Sequence, residues 1–269
     1  MAKIGLVISD IDGTILDKDH QLDSRLKENL AILAQQGILF CLASARSPLG
    51  IRPIQEALGL DAPLVAYNGA LIGQWQEGEF RVLQDIPIVE ADVAALIGLI
   101  EHSFPAVSIG LYVGKDWYVA QRNQWVELEA SITGETPLVT DFEAFLAQKP
   151  VVHKFLLIGE EADITQLLAF LQEQDFPETS FYLSKANYLE ITHRSVSKGH
   201  ALALLAEMQG LPIRETLAFG DHFNDLSMLE AAGVGVAMGN APQVVQEAAD
   251  EVTADNHHNG VSLYLERVL

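Results

Sequence analysis

The sequence predicts an α/β fold in which a parallel-sheet core is interrupted by an inserted α+β unit. Three observations carry this. The first third alternates short apolar runs with stretches of helical periodicity, as a parallel sheet with crossover helices requires. The last third repeats that alternation. The middle instead shows apolar runs in close pairs, which read as antiparallel strands. Segments 1–82 and 189–269 are therefore expected to share one core, with 83–188 inserted into it.

The elements follow in order. Lys3–Ser9 is a short apolar run and reads as a buried strand. Leu26, Leu30 and Leu33 recur at helical spacing, with Asp23 or Ser24 as N-cap and Gly37 as the stop. Ile38–Ala43 is a second strand. Pro48 opens a helix that closes near Gly59, because Pro suits the first turn and Gly the position after the last. Leu64–Tyr67 is a third strand. In the middle, Val93, Leu96, Ile97 and Ile100 share a helix face. Val107–Val113 and Trp117–Ala120 flank Gly114-Lys115-Asp116 as paired strands. Val151–Ile158 is a strand, followed by a helix carrying Ile164, Leu167, Leu168 and Leu171. Phe181–Leu183 and Tyr188–Ile191 are further strands. A helix from Lys198 to Gln209 then leads to the strand Thr216–Phe219, and a helix near Leu226–Ala231 to the strand Val234–Ala237.

Charge narrows the function. The 269 residues include 37 acidic and 16 basic ones, a net charge of -21. A protein that grips nucleic acid needs Lys/Arg clusters to displace counterions, and this chain has none. The same sign disfavours an anionic membrane surface. The longest charge-free stretch, Asn29–Ala45, is too short and too polar to span a bilayer. The first apolar run ends at Asp10, too early for a secretory leader. Cys41 stands alone and can form no internal disulfide. The expectation is a cytoplasmic protein that needs neither nucleic acid, membrane nor an obligate protein partner.

The chemistry-bearing residues follow strands. Asp10-Ile11-Asp12-Gly13-Thr14 comes directly after the first. Carboxylates at i and i+2 off a strand end can converge on one cation, and Gly13 permits a sharp turn; an ordinary acidic turn is the alternative. Ser44-Ala45-Arg46 ends the second strand, and a hydroxyl with a guanidinium there can hold a phosphate. Asn68-Gly69 ends the third. Gly220-Asp221-His222-Phe223-Asn224-Asp225 follows a later strand and offers oxygen ligands suited to Mg²⁺, or an N-cap cluster. Lys198 opens a helix, where the dipole disfavours a cation. Together these place Asp10, Asp12, Ser44, Lys198, Asp221 and Asp225 at one sheet edge. Four carboxylates there repel one another unless a metal and the Lys amine offset them. Such a site suits a metal and a phosphate.

As an ordered set, these motifs resemble the four motifs of the haloacid dehalogenase-like hydrolase superfamily, and their spacing resembles its Cof-type phosphatase branch. Asn68-Gly69, Met238-Gly239-Asn240-Ala241-Pro242 and Asn259-Gly260 share the likeness. The middle segment matches that family only in size, position and kind of element. The resemblance implies a Rossmann-like core with an α/β cap domain. It implies Asp10 as the nucleophile that forms an aspartyl-phosphate, and Asp12 as acid and then base. Ser44, Ala45, Lys198 and Asn224 would hold the phosphoryl group, with Arg46, Asn68 and Gly69 towards the substrate. Asp10, the carbonyl of Asp12, and Asp221 would bind Mg²⁺, with Asp225 acting through water or by orienting Lys198.

The implied activity is Mg²⁺-dependent hydrolysis of a small phosphorylated metabolite, a sugar phosphate or phosphorylated cofactor. A phosphosugar mutase on the same scaffold is the alternative. A phospho-acceptor signalling domain is a remoter one, opposed by the insertion and by Asp12. Ala45 stands where the family usually has Gly, and would be strained if that position needs positive φ. His257-His258 reads as a solvated loop, Cys41 as buried filler, and Trp117 and Tyr118 as strand packing. The three segments carry net charges of -3, -11 and -7 in chain order. The acidic insertion favours a small leaving group that is neutral or weakly charged.

Overall fold

The computed structural model describes residues 3–268. The chain runs through β1 (Leu6–Ser9), α1 (Leu26–Gln35), β2 (Leu39–Ala43), α2 (Pro48–Leu58), β3 (Leu64–Ala66), β4 (Leu71–Gln76) and β5 (Glu79–Asp85). It continues through α3 (Glu90–Ser103), β6 (Ser108–Val113), β7 (Asp116–Val119), α4 (Gln124–Thr133), β8 (Leu138–Val139), α5 (Phe142–Leu146), β9 (Lys154–Ile158), α6 (Glu161–Gln172), β10 (Thr179–Lys185) and β11 (Tyr188–His193). It ends with α7 (Lys198–Met208), β12 (Thr216–Gly220), α8 (Leu226–Ala231), β13 (Val234–Ala237), α9 (Gln243–Ala248), β14 (Glu251–Val252) and α10 (Gly260–Val268).

Two compact units result. One takes the chain up to Arg46, Ile51–Leu83, and everything from Ser197 onward. The other takes Ser47–Gly50 and Gln84–Val196. Against the expected 83–188, the second unit therefore runs on to Val196. The cause is β11, which pairs antiparallel with both β9 and β10 and so completes that unit's sheet.

The first unit is built on an eight-stranded sheet in the order β14-β13-β12-β1-β2-β3-β4-β5. β1 lies between β2 and β12, parallel to both, so Leu6 sits beside Leu39 and Thr216. Every residue of β1 is buried, as a strand covered on both faces must be. Leu6, Ile8, Cys41, Ala43, Leu202, Leu205, Ala218 and Met228 form part of one core cluster. Burial there pushes the Cys41 thiol up to about 12. β4 and β5 were not anticipated. They extend the sheet at its edge, with β4 antiparallel to β3 and buried over Leu71–Gly73, while β5 mixes half-buried with exposed residues rather than forming an apolar run.

The second unit holds a six-stranded sheet, β10-β11-β9-β6-β7-β8. Leu111, Phe155, Leu157, Leu189 and Ile191 share its core with α3 and α6. The alternate positions include the buried pair Lys154–Glu190, 3.2 Å apart. Trp117 stacks near Tyr112, and Tyr118 packs on Phe145 with ring centroids 4.5 Å apart. Both aromatics are thus packing residues within this unit.

Candidate active site

From β1 the sheet extends towards β2 on one side and towards β12 on the other, so the strand order changes direction at β1. In open α/β sheets the ligand crevice lies at the carboxyl ends of the strands beside such a reversal. Asp10 follows β1 and stays in register, its N–H donating to the Phe219 carbonyl at 2.9 Å. Ser44 follows β2 and donates its N–H to Val65 at 2.9 Å. Asp221 follows β12. Lys198 opens α7, whose N-cap Ser197 accepts the His200 N–H. All the candidate catalytic, phosphate, substrate and metal residues lie in the first unit.

Lys198 is fully buried. Its Nζ donates to Asp10 Oδ1 and, at 2.7 Å, to Asp225 Oδ1. The other Asp225 oxygen accepts the N–H groups of Asp221 and His222 at 2.9 and 3.0 Å. Both oxygens of Asp225 are thus engaged in holding Lys198 and the loop. Asp221 Oδ1 accepts from Thr14 Oγ1 at 2.9 Å. Asp10, Asp221 and Asp225 each present a carboxylate oxygen, all within 4.8 Å of one another.

The charges explain the protonation tendencies. Burial raises the Asp10 carboxyl well above its usual range; Lys198 pulls it back, while Asp225 and Asp221 push it further up. Asp221 is pushed up to about 6, first by burial, against the Thr14 hydrogen bond. Burial alone would lower the Lys198 ammonium, but Asp10 and Asp225 more than reverse this. One ammonium faces three buried carboxylates. The surplus negative charge and the all-oxygen donor set fit a hard divalent cation such as Mg²⁺.

Asp12 departs from expectation. Its carboxylate does not converge with that of Asp10 on the acid cluster. Instead Arg46 takes both its oxygens, Nε to Oδ2 at 2.8 Å and Nη2 to Oδ1 at 2.6 Å. Asp10 is held by the sheet, Ile11 is buried, and Gly13 then turns the chain at φ +89°, so the Asp12 side chain emerges 47% exposed. Arg46, expected towards the substrate, is thereby engaged with Asp12.

The remaining expected residues assemble around Ser44. Its Oγ accepts the Arg46 N–H at 3.2 Å and its carbonyl the Asn68 N–H at 2.9 Å. Ala45 does not adopt positive φ, so the strain foreseen there does not arise. Strain sits instead at Tyr67 and Asn68, both left-handed with φ 52° and 56°. Gly69 follows at φ 113°, where a Cβ would lie 2.5 Å from the Ser197 carbonyl oxygen. Asn68 Oδ1 accepts from Asn224 Nδ2 at 3.1 Å. Two further motif residues take part in the site. Thr14 grips Asp221, and Asn240 donates to the Gly13 carbonyl at 2.9 Å. Asn240 follows β13 closely, so its place after a strand was the available signal.

Residues 7–265 match the model of the haloacid dehalogenase-like hydrolases. The chain belongs to that family. A Haemophilus influenzae relative, provisionally named a phosphatase, is 38% identical and covers 97% of this chain and 96% of its own. An Escherichia coli relative named HMP-PP phosphatase is 32% identical, covering 90% of this chain and 87% of its own. The solved structure of TM0651 from Thermotoga maritima superposes with a TM-score of 0.89 at 29% identity, over 99% of this chain and 98% of that one. Within the haloacid dehalogenase-like hydrolases the chain is a phosphatase, a phosphoric monoester hydrolase. Among the described residues, no helix is long and apolar enough to cross a membrane.

Proposed function

We propose that the chain is a Mg²⁺-dependent phosphatase that hydrolyses a small phosphorylated metabolite through an aspartyl-phosphate on Asp10. The supporting observation is the buried Lys198 held between Asp10 and Asp225 beside Asp221. In this reading an Asp10 oxygen attacks phosphorus while the bond to the leaving oxygen breaks. Asp12 gives its proton to that oxygen. Water then attacks the aspartyl-phosphate, Asp12 takes the water's proton, and phosphate leaves. Dividing one hard displacement into two is the gain of covalent catalysis. Lys198 and the Ser44 hydroxyl balance charge on the phosphoryl oxygens. Asp225 holds Lys198 in place, and Asn68 and Asn224 brace each other beside Ser44.

Asp10 and Asp221, with the Asp12 carbonyl, would hold Mg²⁺. When bound, the ion supplies Lewis-acid neutralisation of phosphoryl charge. Asp225 is assigned to Lys198 rather than to the metal, because both its oxygens are occupied.

The second unit is proposed as the cap that selects the leaving group. Its acidity favours a neutral or weakly charged one, and the HMP-PP phosphatase relative supports a small phosphorylated metabolite. Phosphate release from a panel of phosphorylated metabolites, with and without Mg²⁺, tests the reading. No release from any panel member or from p-nitrophenyl phosphate overturns it.

A further inference from the structure

An exposed carboxylate on a turn samples several rotamers. Asp12 does not have that freedom here, because Arg46 holds it through two hydrogen bonds that define the plane of the carboxylate. The arginine is anchored in turn. Its N–H donates to the buried Ser44 Oγ, and its carbonyl accepts the Tyr67 N–H at 3.1 Å. Tyr67 is itself fully buried in a left-handed conformation that a tyrosine rarely adopts. Surrounding structure must over-determine such a residue for the strain to persist. The Arg46 backbone is thus fixed at both its N–H and its carbonyl, and from that base its side chain reaches Asp12.

We propose that Arg46 is a positioning residue that sets the direction of the Asp12 carboxylate for its proton transfers. The inference rests on the phosphatase reading. Asp12, held as a carboxylate by Arg46, takes up a proton from solvent as one of the two bonds opens, while the other keeps its direction. The new O–H bond then breaks as the leaving oxygen takes the proton and the electron pair of the broken P–O bond. A displacement of about 1 Å in a reacting group costs on the order of 10²-fold in rate. Lysine substitutes only in part, because an ammonium is a point charge and does not define a plane.

The test compares kcat/KM for phenyl phosphate and p-nitrophenyl phosphate in the wild type, D12N, R46K, R46A and the D12N/R46A double variant. Phenol is the poorer leaving group and depends more on a proton donor. Relative to wild type, the phenyl to p-nitrophenyl ratio should fall about tenfold in D12N and in R46A, and about threefold in R46K. The double variant should fall no further than D12N. If D12N is selective while R46A loses both esters equally, or adds fully to D12N, Arg46 serves phosphate binding or folding and the inference is overturned. R46K at the wild-type ratio overturns it too, and guards against an R46A chain that fails to fold. An unchanged ratio in D12N removes the acid role itself, and with it the reading on which the inference stands.

Discussion

Lys198 determines the charge balance of the site. Without it, the carboxylates of Asp10, Asp221 and Asp225 would stand buried with no internal cation. Breaking a buried ion pair from one side costs about 3–5 kcal/mol. Lys198→Ala should therefore lower the urea-unfolding free energy of the metal-free protein by about that amount. Asp10→Asn should behave oppositely. The amide oxygen can still accept from Lys198, so stability should hold, but no nucleophile remains. Turnover should fall by about 10⁴-fold or more, the scale seen when a nucleophile is removed. An Asp10→Asn protein with near wild-type kcat would move the nucleophile elsewhere.

At the scale of elements, the loops after β1 and β3 do the positioning. Gly13 sits at φ +89°, and a Cβ there would lie 2.2 Å from Asp221 Oδ2. Gly13→Ala should cost about 1–3 kcal/mol through the strained backbone and also displace Asp221. Gly59, at the end of α2, provides the control. Its φ is +69°, but a Cβ would meet nothing within 4 Å. Gly59→Ala should cost about 1 kcal/mol and leave kcat unchanged. Equal effects of the two substitutions on kcat would show that the contact with Asp221 is immaterial. Both glycines are legible in the sequence as turn residues. The difference between them is not, because Gly13 meets a side chain about two hundred positions away.

For the whole molecule, the acid cluster ties stability to pH and metal. Asp10 and Asp221 have raised carboxyl pKa values when folded, Asp221 about 6 against an ordinary 3.8. The folded chain therefore holds protons that the unfolded chain has released. The Asp221 contribution is full below about pH 4 and is lost as pH rises through about 6. Mg²⁺ should restore it where protons no longer do. At 100 times its Kd the ion adds about 2.7 kcal/mol, or about 5–10 °C in Tm for a chain near this size. Thermal melts should show that gain at pH 7.5 and a smaller one at pH 5. Asp221→Asn should raise the Tm of the metal-free protein at pH 7.5 and remove most of the gain. An equal Mg²⁺ shift in wild type and variant would detach the effect from this cluster.

The sequence by itself determined the alternation of strands and helices in both arms, and that polar clusters follow the strands. Apolar periodicity is local, set by the geometry of a single segment, and the buried runs at β1, β2 and β12 carry it plainly. Asp10, Ser44 and Asp221 are therefore legible as the residues that follow those three strands. Only the tertiary structure separated the carboxylate of Asp12 from that of Asp10. A side chain's direction off a turn depends on the dihedrals at Gly13 and on the Arg46 that receives it, 34 residues away. The tertiary structure also gave Asn240 its contact with the Gly13 carbonyl and β11 its place in the second sheet. Each is a pairing between distant segments, decided by register and packing, which no local pattern encodes.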